Sequence, residues 1–182
     1  MEVDVGTYTY DSAMFNVSVV FTGVFCIALA IVGVLGAVGF GPLPPGLAAV
    51  VALIALYQVW NTFVAIANPR QVIVSERSLS FLAFGREDRF PLDQIDELKV
   101  REFPGKLYVR VNGGGLLRGR YWVQTGRMDG GETLFRWFED FEYQMHPNTV
   151  KATARRSSEV YSAHKDEVDR IVRRKKASLK RR

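Results

Sequence analysis

The sequence has few of the residues that build disulfides, metal sites and catalytic centres. Its 182 residues include one cysteine, Cys26, and two histidines, His146 and His164. A single cysteine excludes an intrachain disulfide and a multi-cysteine metal site, and neither histidine lies in a zinc-binding spacing such as HExxH. The glycine-rich NGGG (112–115) lacks the Lys and Ser or Thr of a phosphate-binding loop. We therefore expect no enzymatic activity, no metal and no cofactor.

Charge is absent from a long part of the chain. No Asp, Glu, Lys or Arg occurs in residues 12–69, an uncharged run of 58 residues. One membrane span needs only about 20 apolar residues, so a single helix through this run would be far too long. Within it, GFGPLPPG (39–46) has three prolines that cannot all continue a helix and glycines that permit a sharp reversal. The sequence therefore predicts a membrane helical hairpin with spans at 15–39 and 47–67.

Two other interpretations of the apolar run are open. A helical hairpin buried inside a soluble domain is one, but few other residues remain to cover two helices that are apolar all round. A cleaved signal peptide is the other, but the preceding segment carries Glu2, Asp4 and Asp11 and has no Lys or Arg. A signal peptide normally begins with a basic region, so we favour the membrane hairpin.

Basic residues are absent before the end of the second predicted span. All 24 Lys and Arg residues follow it, beginning with Arg70 and, for lysine, Lys99. Basic segments close to a membrane span remain in the cytoplasm. We therefore expect a multi-pass protein of the cell (inner) membrane with both termini cytoplasmic and the proline-rich turn outside.

Small and polar residues in the spans indicate how the two helices pack. The first span has a small residue at every fourth position, and the second offers three alanines and two amides on the side that we expect to face it. The first-span positions are Ser18, Thr22, Cys26 and Ala30, and those of the second span are Ala48, Ala52, Ala55, Gln58 and Asn61. Since neither span has an ionisable residue, we expect the amides to hydrogen-bond between helices and not to line a transport path.

After Pro69 the chain changes to short β-strand patterns followed by one helix. Apolar or aromatic residues in partial alternation predict strands at 71–75, 78–84, 89–92, 96–103, 106–111 and 118–124, with GRED (85–88) as a turn. An amphipathic helix at 132–145 follows, with an apolar stripe of Leu134, Phe138, Phe141 and Met145 and a solvated acidic side that includes Glu142. The pattern predicts an α+β domain, a small β-barrel or curved antiparallel sheet capped by that helix.

The order of these elements resembles known bacterial proteins. The strand SLSFLAFG, a polar turn and the segment Pro91, Leu92, Asp93, Gln94 and Ile95 are similar to the bacterial pleckstrin-homology-like (PH-like) domains. The layout of VDVGTYTYD, a two-span hairpin and then this domain resembles the YcxB-like membrane proteins, over residues 1 to about 147. The resemblance implies a PH-type split barrel capped by the helix, without catalytic activity. The hairpin SERSLS carries only Arg77 as a cation, so phosphoinositide binding is not implied.

Charge divides the cytoplasmic part of the chain. We divide the protein into an N-terminal cytoplasmic segment (1–14), the hairpin (15–67), the PH-like domain (70–147) and a basic helical tail (148–182). Residues 70–150 contain 12 basic and 12 acidic residues, whereas residues 151–182 contain 12 basic and four acidic ones, a net charge of +8. We therefore expect the domain to have no electropositive character and the tail to contact anionic lipid headgroups. A merely solvated tail and, less favoured, a nucleic-acid-binding tail are the alternatives. The tail residues expected at the membrane surface are Arg173, Arg174, Lys175, Lys176, Lys180, Arg181 and Arg182.

Taken together, these features predict a non-enzymatic membrane protein that presents a binding or scaffolding domain at the cytoplasmic face. The alternative is a small oligomeric transport or channel-like component regulated by its soluble domain. Its unknown protein partner is expected to contact aromatic and Arg residues of the predicted strands, namely Tyr108, Arg110, Tyr121 and Trp122. Alternation places about half of these four in the core. The strand-like N-terminus (3–9) is expected to pair with an exposed sheet edge.

Overall fold

A computed structural model describes residues 6–154 and 157. The chain divides into two compact units, Met1–Glu142 and Tyr143–Arg182. The first helix is Ser12–Ala37, π-helical over Asn16–Phe21, and the second is Pro45–Val64, π-helical over Trp60–Val64. A third helix, Gly131–Met145, follows seven strands. The strands are β1 Gly6–Thr9, β2 Gln71–Val74, β3 Ser78–Ala83, β4 Arg86–Pro91, β5 Leu98–Phe103, β6 Lys106–Val111 and β7 Arg120–Val123.

The strands form two antiparallel sheets that do not close into one barrel. One sheet has the order β1-β2-β3-β4 and the other β5-β6-β7. The six predicted strands after Pro69 are confirmed, but the predicted GRED turn is wrong. The chain reverses at Phe84 and Gly85, which both have positive φ, and Ala83 already pairs with Arg86. Two residues of positive φ make a tight hairpin turn, so β4 begins within the segment predicted to be the turn.

The N-terminal segment belongs to the four-stranded sheet. β1 pairs antiparallel with β2, with Gly6 opposite Val74 and Thr9 opposite Gln71. The predicted pairing of the N-terminus with a sheet edge is thus confirmed for residues 6–9, and residues 3–5 lie outside the described chain. The two-helix hairpin is consequently inserted between two neighbouring strands, and both of its ends are fixed by one sheet.

Aromatic side chains from both sheets and from the third helix meet in the core. The ring of Phe81 in β3 stacks on that of Tyr121 in β7 with centroids 3.8 Å apart, and Phe138 of the helix stacks near Phe81 at 6.4 Å. Leu134 and Phe138 are fully buried as predicted, whereas Phe141 and Met145 are only half-buried. Burial of each such large side chain contributes about 1.5 to 3 kcal/mol, so this contact holds the two sheets and the helix together.

The third helix also bonds to the three-stranded sheet through an acidic side chain. The Glu142 carboxylate accepts a hydrogen bond from the backbone N–H of Val100 at 2.7 Å. The prediction that this carboxylate belongs to a merely solvated face is therefore wrong. β5 lies at the edge of its sheet, so backbone N–H groups that point away from β6 have no strand partner. A side chain can satisfy such an N–H group.

The two apolar helices approach each other closely along glycines and alanines. A Cβ atom on Gly33 would lie 2.9 Å from the backbone nitrogen of Ala52, and one on Gly36 would lie 2.8 Å from the Cβ of Ala48. The buried positions within Thr22–Ala37 of the first helix are Gly23, Ala30, Gly33 and Gly36, and those within Pro45–Val59 of the second are Ala48, Ala52 and Ala55. Contact between backbones and small side chains therefore replaces the interdigitated large side chains of a soluble core.

The predicted packing face of the first helix is only partly correct. Ala30 is buried and Cys26 half-buried, but Ser18 and Thr22 are exposed. A helix has 3.6 residues per turn, so a constant spacing of four drifts off any one face, and alternating spacings of three and four stay on it. The structure follows the alternating pattern through Gly23, Cys26, Ala30 and Gly33. The small surface predicted on the second helix, Ala48, Ala52 and Ala55, is confirmed.

Both apolar helices are long enough to cross a membrane. They have 26 and 20 residues, and only 22% of the most apolar 18-residue stretch of each is buried. At about 1.5 Å per residue, even 20 residues match a hydrocarbon core of roughly 30 Å. Large apolar side chains such as Phe21 and Leu53 are 68% exposed. Such an apolar surface supports association with a membrane.

The second unit contains the beginning of the basic tail. Residues 150–154 and 157 are helical, and the Thr149 hydroxyl accepts a hydrogen bond from the Ala152 N–H at 3.2 Å. A threonine in this position is a usual helix N-cap. The basic residues 173–182 that we expect at the membrane surface lie outside the described residues.

Candidate functional site

The second helix ends on an arginine of the four-stranded sheet. The Arg86 guanidinium donates to the carbonyls of Val64 and Leu117 and to the Asp88 carboxylate. The last carbonyls of a helix have no partner within it and carry the negative end of the helix dipole. Arg86 therefore satisfies the helix end, which belongs to the hairpin, with a cation that belongs to the sheet.

A buried carboxylate extends this contact to the other sheet. Asp88 is 4% exposed and accepts a hydrogen bond from the Tyr121 hydroxyl at 2.8 Å. The same hydroxyl accepts from the Gly119 N–H at 3.1 Å. Burial raises the pKa of Tyr121 far above its ordinary value, and the bond to the Asp88 carboxylate raises this pKa further. Tyr121 is therefore a neutral donor, and one continuous network joins the hairpin to both sheets.

Three further contacts hold the base of the hairpin. The Arg70 side chain donates to the Ser12 hydroxyl at 3.1 Å, and Trp60 Nε1 donates to the Leu116 carbonyl at 3.1 Å. The ring of Phe84, at the tip of the β3–β4 turn, lies 5.7 Å from Phe15 and 5.1 Å from Phe63. These contacts come from both helices, so the hairpin has a defined orientation on the sheets.

The outer side of the three-stranded sheet is basic. Side chains of directly paired residues lie on the same face of a sheet, and Lys99 pairs with Arg110, which pairs with Arg120. In the next row Arg101 pairs with Tyr108, which pairs with Trp122. We name as the basic face the five outward cations and three aromatic residues of these strands, Lys99, Arg101, Phe103, Lys106, Tyr108, Arg110, Arg120 and Trp122.

The basic face corrects the expectation that the domain has no electropositive character. The net charge of residues 70–150 is zero, but five of the 12 cations in this domain lie on one side of the three-stranded sheet. Like charges directly opposite each other on a sheet are destabilising, so the row of Lys99, Arg110 and Arg120 is unfavourable in itself. Within the described residues Lys99 is paired with Glu97, whereas Arg110 and Arg120 have no salt bridge. A bound anion would offset this repulsion.

A cavity of about 330 Å³ lies where the basic face meets the base of the second helix. The backbone N–H of Trp122 donates to the Ala67 carbonyl at 2.6 Å, which fixes β7 beside the segment that follows that helix. Two cations, three amides and three aromatic rings line the cavity, and none of the described carboxylates does. The lining residues are Tyr57, Gln58, Asn61, Ala67, Asn68, Lys106, Tyr108, Arg120 and Trp122.

The two cations of the cavity differ in their surroundings. The Lys106 ammonium lies 4.8 Å from the centroid of the Trp122 ring, a cation–π distance. Arg120 lies at the end of the unfavourable row of cations. In the part of the chain that the structure describes, neither forms a salt bridge. Both charges are therefore available to a ligand.

The structure brings three of the four predicted partner-binding residues to this region. Tyr108, Arg110 and Trp122 are half-exposed on the basic face, with the rings of Tyr108 and Trp122 4.7 Å apart. Tyr121 is fully buried, so its assignment as a partner-binding residue is wrong. Alternation along β7 turns it inward whenever Trp122 faces out.

The two amides of the second helix have a different place from the one predicted. Gln58 and Asn61 do share a face, but that face lines the cavity. Among the described residues their side chains make no hydrogen bond to the first helix. Sequence reasoning also missed Lys106 and Arg120, although cations at every second position of neighbouring strands are a signal for one charged face.

Comparison of the chain with protein-family models, curated sequences and solved structures found no significant match. Within residues 6–154 and 157, no three His, Cys, Asp or Glu side chains are grouped as a metal site. The cavity and the basic face are therefore the features from which a function has to be argued.

Proposed function

We propose that the protein is a non-enzymatic integral membrane protein that presents a PH-like binding or scaffolding domain at the cytoplasmic face of the cell membrane. The observation that carries the proposal is the insertion of the apolar hairpin between β1 and β2. A domain whose neighbouring strands both continue into the hairpin cannot leave the bilayer surface without unfolding its own sheet.

The architecture supports a PH-like assignment. A PH-type split barrel has two antiparallel sheets with a C-terminal helix across them, as the resemblance implies. Here the sheets have four and three consecutive strands, and the helix contacts both, through Phe138 on one and Glu142 on the other. β1 is separated from β2 by the hairpin, so the membrane part is an insertion within the domain.

The distribution of charge supports cytoplasmic termini. No cation precedes Arg70, and the arginines that contact the base of the hairpin, Arg70 and Arg86, follow the second helix closely. Such residues remain on the cytoplasmic side. The tail, with a net charge of +8, then lies beside the anionic leaflet, where each basic residue contributes about 1 kcal/mol of attraction. The transport alternative has no specific observation in its favour.

The topology can be tested with single cysteines. In a Cys26→Ser background, Leu43→Cys places a thiol in the turn between the helices and Arg77→Cys places one in the exposed β2–β3 turn. We expect a membrane-impermeant maleimide to label the first variant on intact cells and the second only after permeabilisation. Labelling of both on intact cells, or release of the protein by alkaline carbonate, would contradict the proposal.

A further inference from the structure

We infer that the cavity between the second helix and the basic face binds the phosphate headgroup of an anionic phospholipid. In this assignment Lys106 and Arg120 contact the phosphate, and the amides of Gln58, Asn61 and Asn68 contact its ester oxygens and neighbouring hydroxyls. The inference rests on the proposed function in one respect, namely that a bilayer surrounds the hairpin.

The first argument is the position of the cavity along the second helix. Residues four apart differ by only about 40° around a helix, so Leu53, Tyr57 and Asn61 lie within about 80° of one another and share one side. Leu53 is 68% and Tyr57 59% exposed, whereas Asn61 lies in the wall of the cavity. The surface therefore changes from apolar to polar over two helical turns and ends at two cations. An amphipathic ligand fits this gradient, with its acyl chains along Leu53 and its headgroup below Tyr57.

The second argument is charge. A phosphate accepts strong, charge-assisted hydrogen bonds from Arg and Lys, and the cavity offers both without a competing carboxylate. An anion beside Arg120 would also offset the repulsion along the row that it shares with Lys99 and Arg110. A cavity of about 330 Å³ is at the small end of ligand sites and suits a headgroup. A free phosphate shares this chemistry, but the adjoining apolar helix surface favours the lipid.

Binding can be measured on the full chain in a non-ionic detergent by native mass spectrometry. Dioleoyl phosphatidylglycerol is the probe, and dioleoyl phosphatidylcholine is the zwitterionic reference. We expect one phosphatidylglycerol per chain to be retained in preference to the reference. The double variant Lys106→Gln/Arg120→Gln should lower the affinity about 25-fold, because each cation contributes about fivefold.

Two controls distinguish a built site from a general attraction of lipid to a basic protein. Arg77→Gln/Arg136→Gln removes the same charge from exposed positions away from the cavity, and we expect less than a twofold effect. Asn61→Ala leaves the net charge unchanged, and the loss of one hydrogen bond should weaken binding about fivefold. The Tm of each variant is measured beside its lipid affinity, and only variants that keep the Tm of the native protein are compared. A loss of binding caused by misfolding is thereby recognised.

Each outcome supports or overturns the inference. Equal losses in the cavity and control double variants, or no loss in Asn61→Ala, would overturn it. If inorganic phosphate displaced the probe completely and the two lipids bound alike, the ligand would be a soluble phosphate and the lipid assignment would be wrong. Failure of the cysteine-labelling experiment would instead contradict the topology, and it is read independently of the lipid affinities.

Discussion

The Tyr121 hydroxyl offers a direct test of how the two sheets and the hairpin are joined. Tyr121→Phe removes one oxygen atom and keeps the ring that stacks on Phe81 at 3.8 Å. The change deprives the buried Asp88 carboxylate of a donor at 2.8 Å and the Gly119 N–H of an acceptor. A hydrogen bond to a charged group contributes about 2 kcal/mol and a neutral one about 1 kcal/mol. We therefore expect the free energy of unfolding to fall by about 3 kcal/mol.

The matched control is Tyr108→Phe on the neighbouring strand. Tyr108 faces outward and is half-exposed, so loss of its hydroxyl should change stability by less than about 0.5 kcal/mol. Thermal unfolding of the full chain in detergent, followed by near-ultraviolet circular dichroism, measures both. For a chain of this length 3 kcal/mol corresponds to a decrease in Tm of about 6 to 12 °C. Equal Tm values for the two variants would refute the reasoning.

The same variant has a pH signature. The folded-state pKa of Tyr121 is raised above its unfolded value of about 10. Below pH 10 both states keep the proton, so Tyr121 adds no pH dependence. Above pH 10 only the unfolded state releases it, and the stability that Tyr121 contributes falls by up to about 1.4 kcal/mol per pH unit. The difference in Tm between the native protein and Tyr121→Phe should therefore shrink between pH 10 and 11, and a constant difference would contradict the raised pKa.

Three other perturbations test separate parts of the structure. Gly33→Ala places a Cβ 2.9 Å from the Ala52 backbone nitrogen. Thermal unfolding should show that this change lowers stability by about 1 to 3 kcal/mol. The control is Gly46→Ala, because nothing lies within 4 Å of a Cβ at that position. Arg86→Gln leaves the Asp88 carboxylate buried without a cation, at a cost of about 3 kcal/mol, and adding Asp88→Asn should recover part of the Tm; no recovery would contradict the ion-pair reasoning. Deletion of residues 151–182 should weaken binding of purified protein to anionic vesicles, and added salt should mimic the deletion.

The parts of the fold that follow local rules could be predicted from the sequence. Alternation indicated the strands, because inward residues such as Val109 and Val111 differ in type from their outward neighbours Tyr108 and Arg110. The prolines and glycines of residues 39–46 marked the reversal between the helices, since they exclude a continuous helix. The pairing of the N-terminus followed from a strand pattern and an available edge.

The candidate site could not be predicted in the same way, because it depends on register between distant segments. Lys99, Arg110 and Arg120 become neighbours only when β5, β6 and β7 pair in one particular register. A count of charge over the whole domain hides this segregation. The packing face of the first helix was predicted only in part for a related reason, since small residues are frequent in that helix and only the position of the second helix selects among them.

On the proposed function, the insertion of the hairpin between β1 and β2 sets the orientation of the basic face at the membrane. A domain tethered by one flexible linker would present any of its faces to the bilayer and would lose orientational freedom on binding a lipid. Here the orientation is fixed in advance by two chain connections between the hairpin and the sheet. It is also fixed by the contact of Arg86 with Val64 and by the packing of Phe84 between Phe15 and Phe63. On the proposed topology the cavity lies at the headgroup level before any ligand arrives. On this proposal the tail would add general attraction to the leaflet, while Lys106, Arg120 and the amides of the cavity would determine which headgroup is retained.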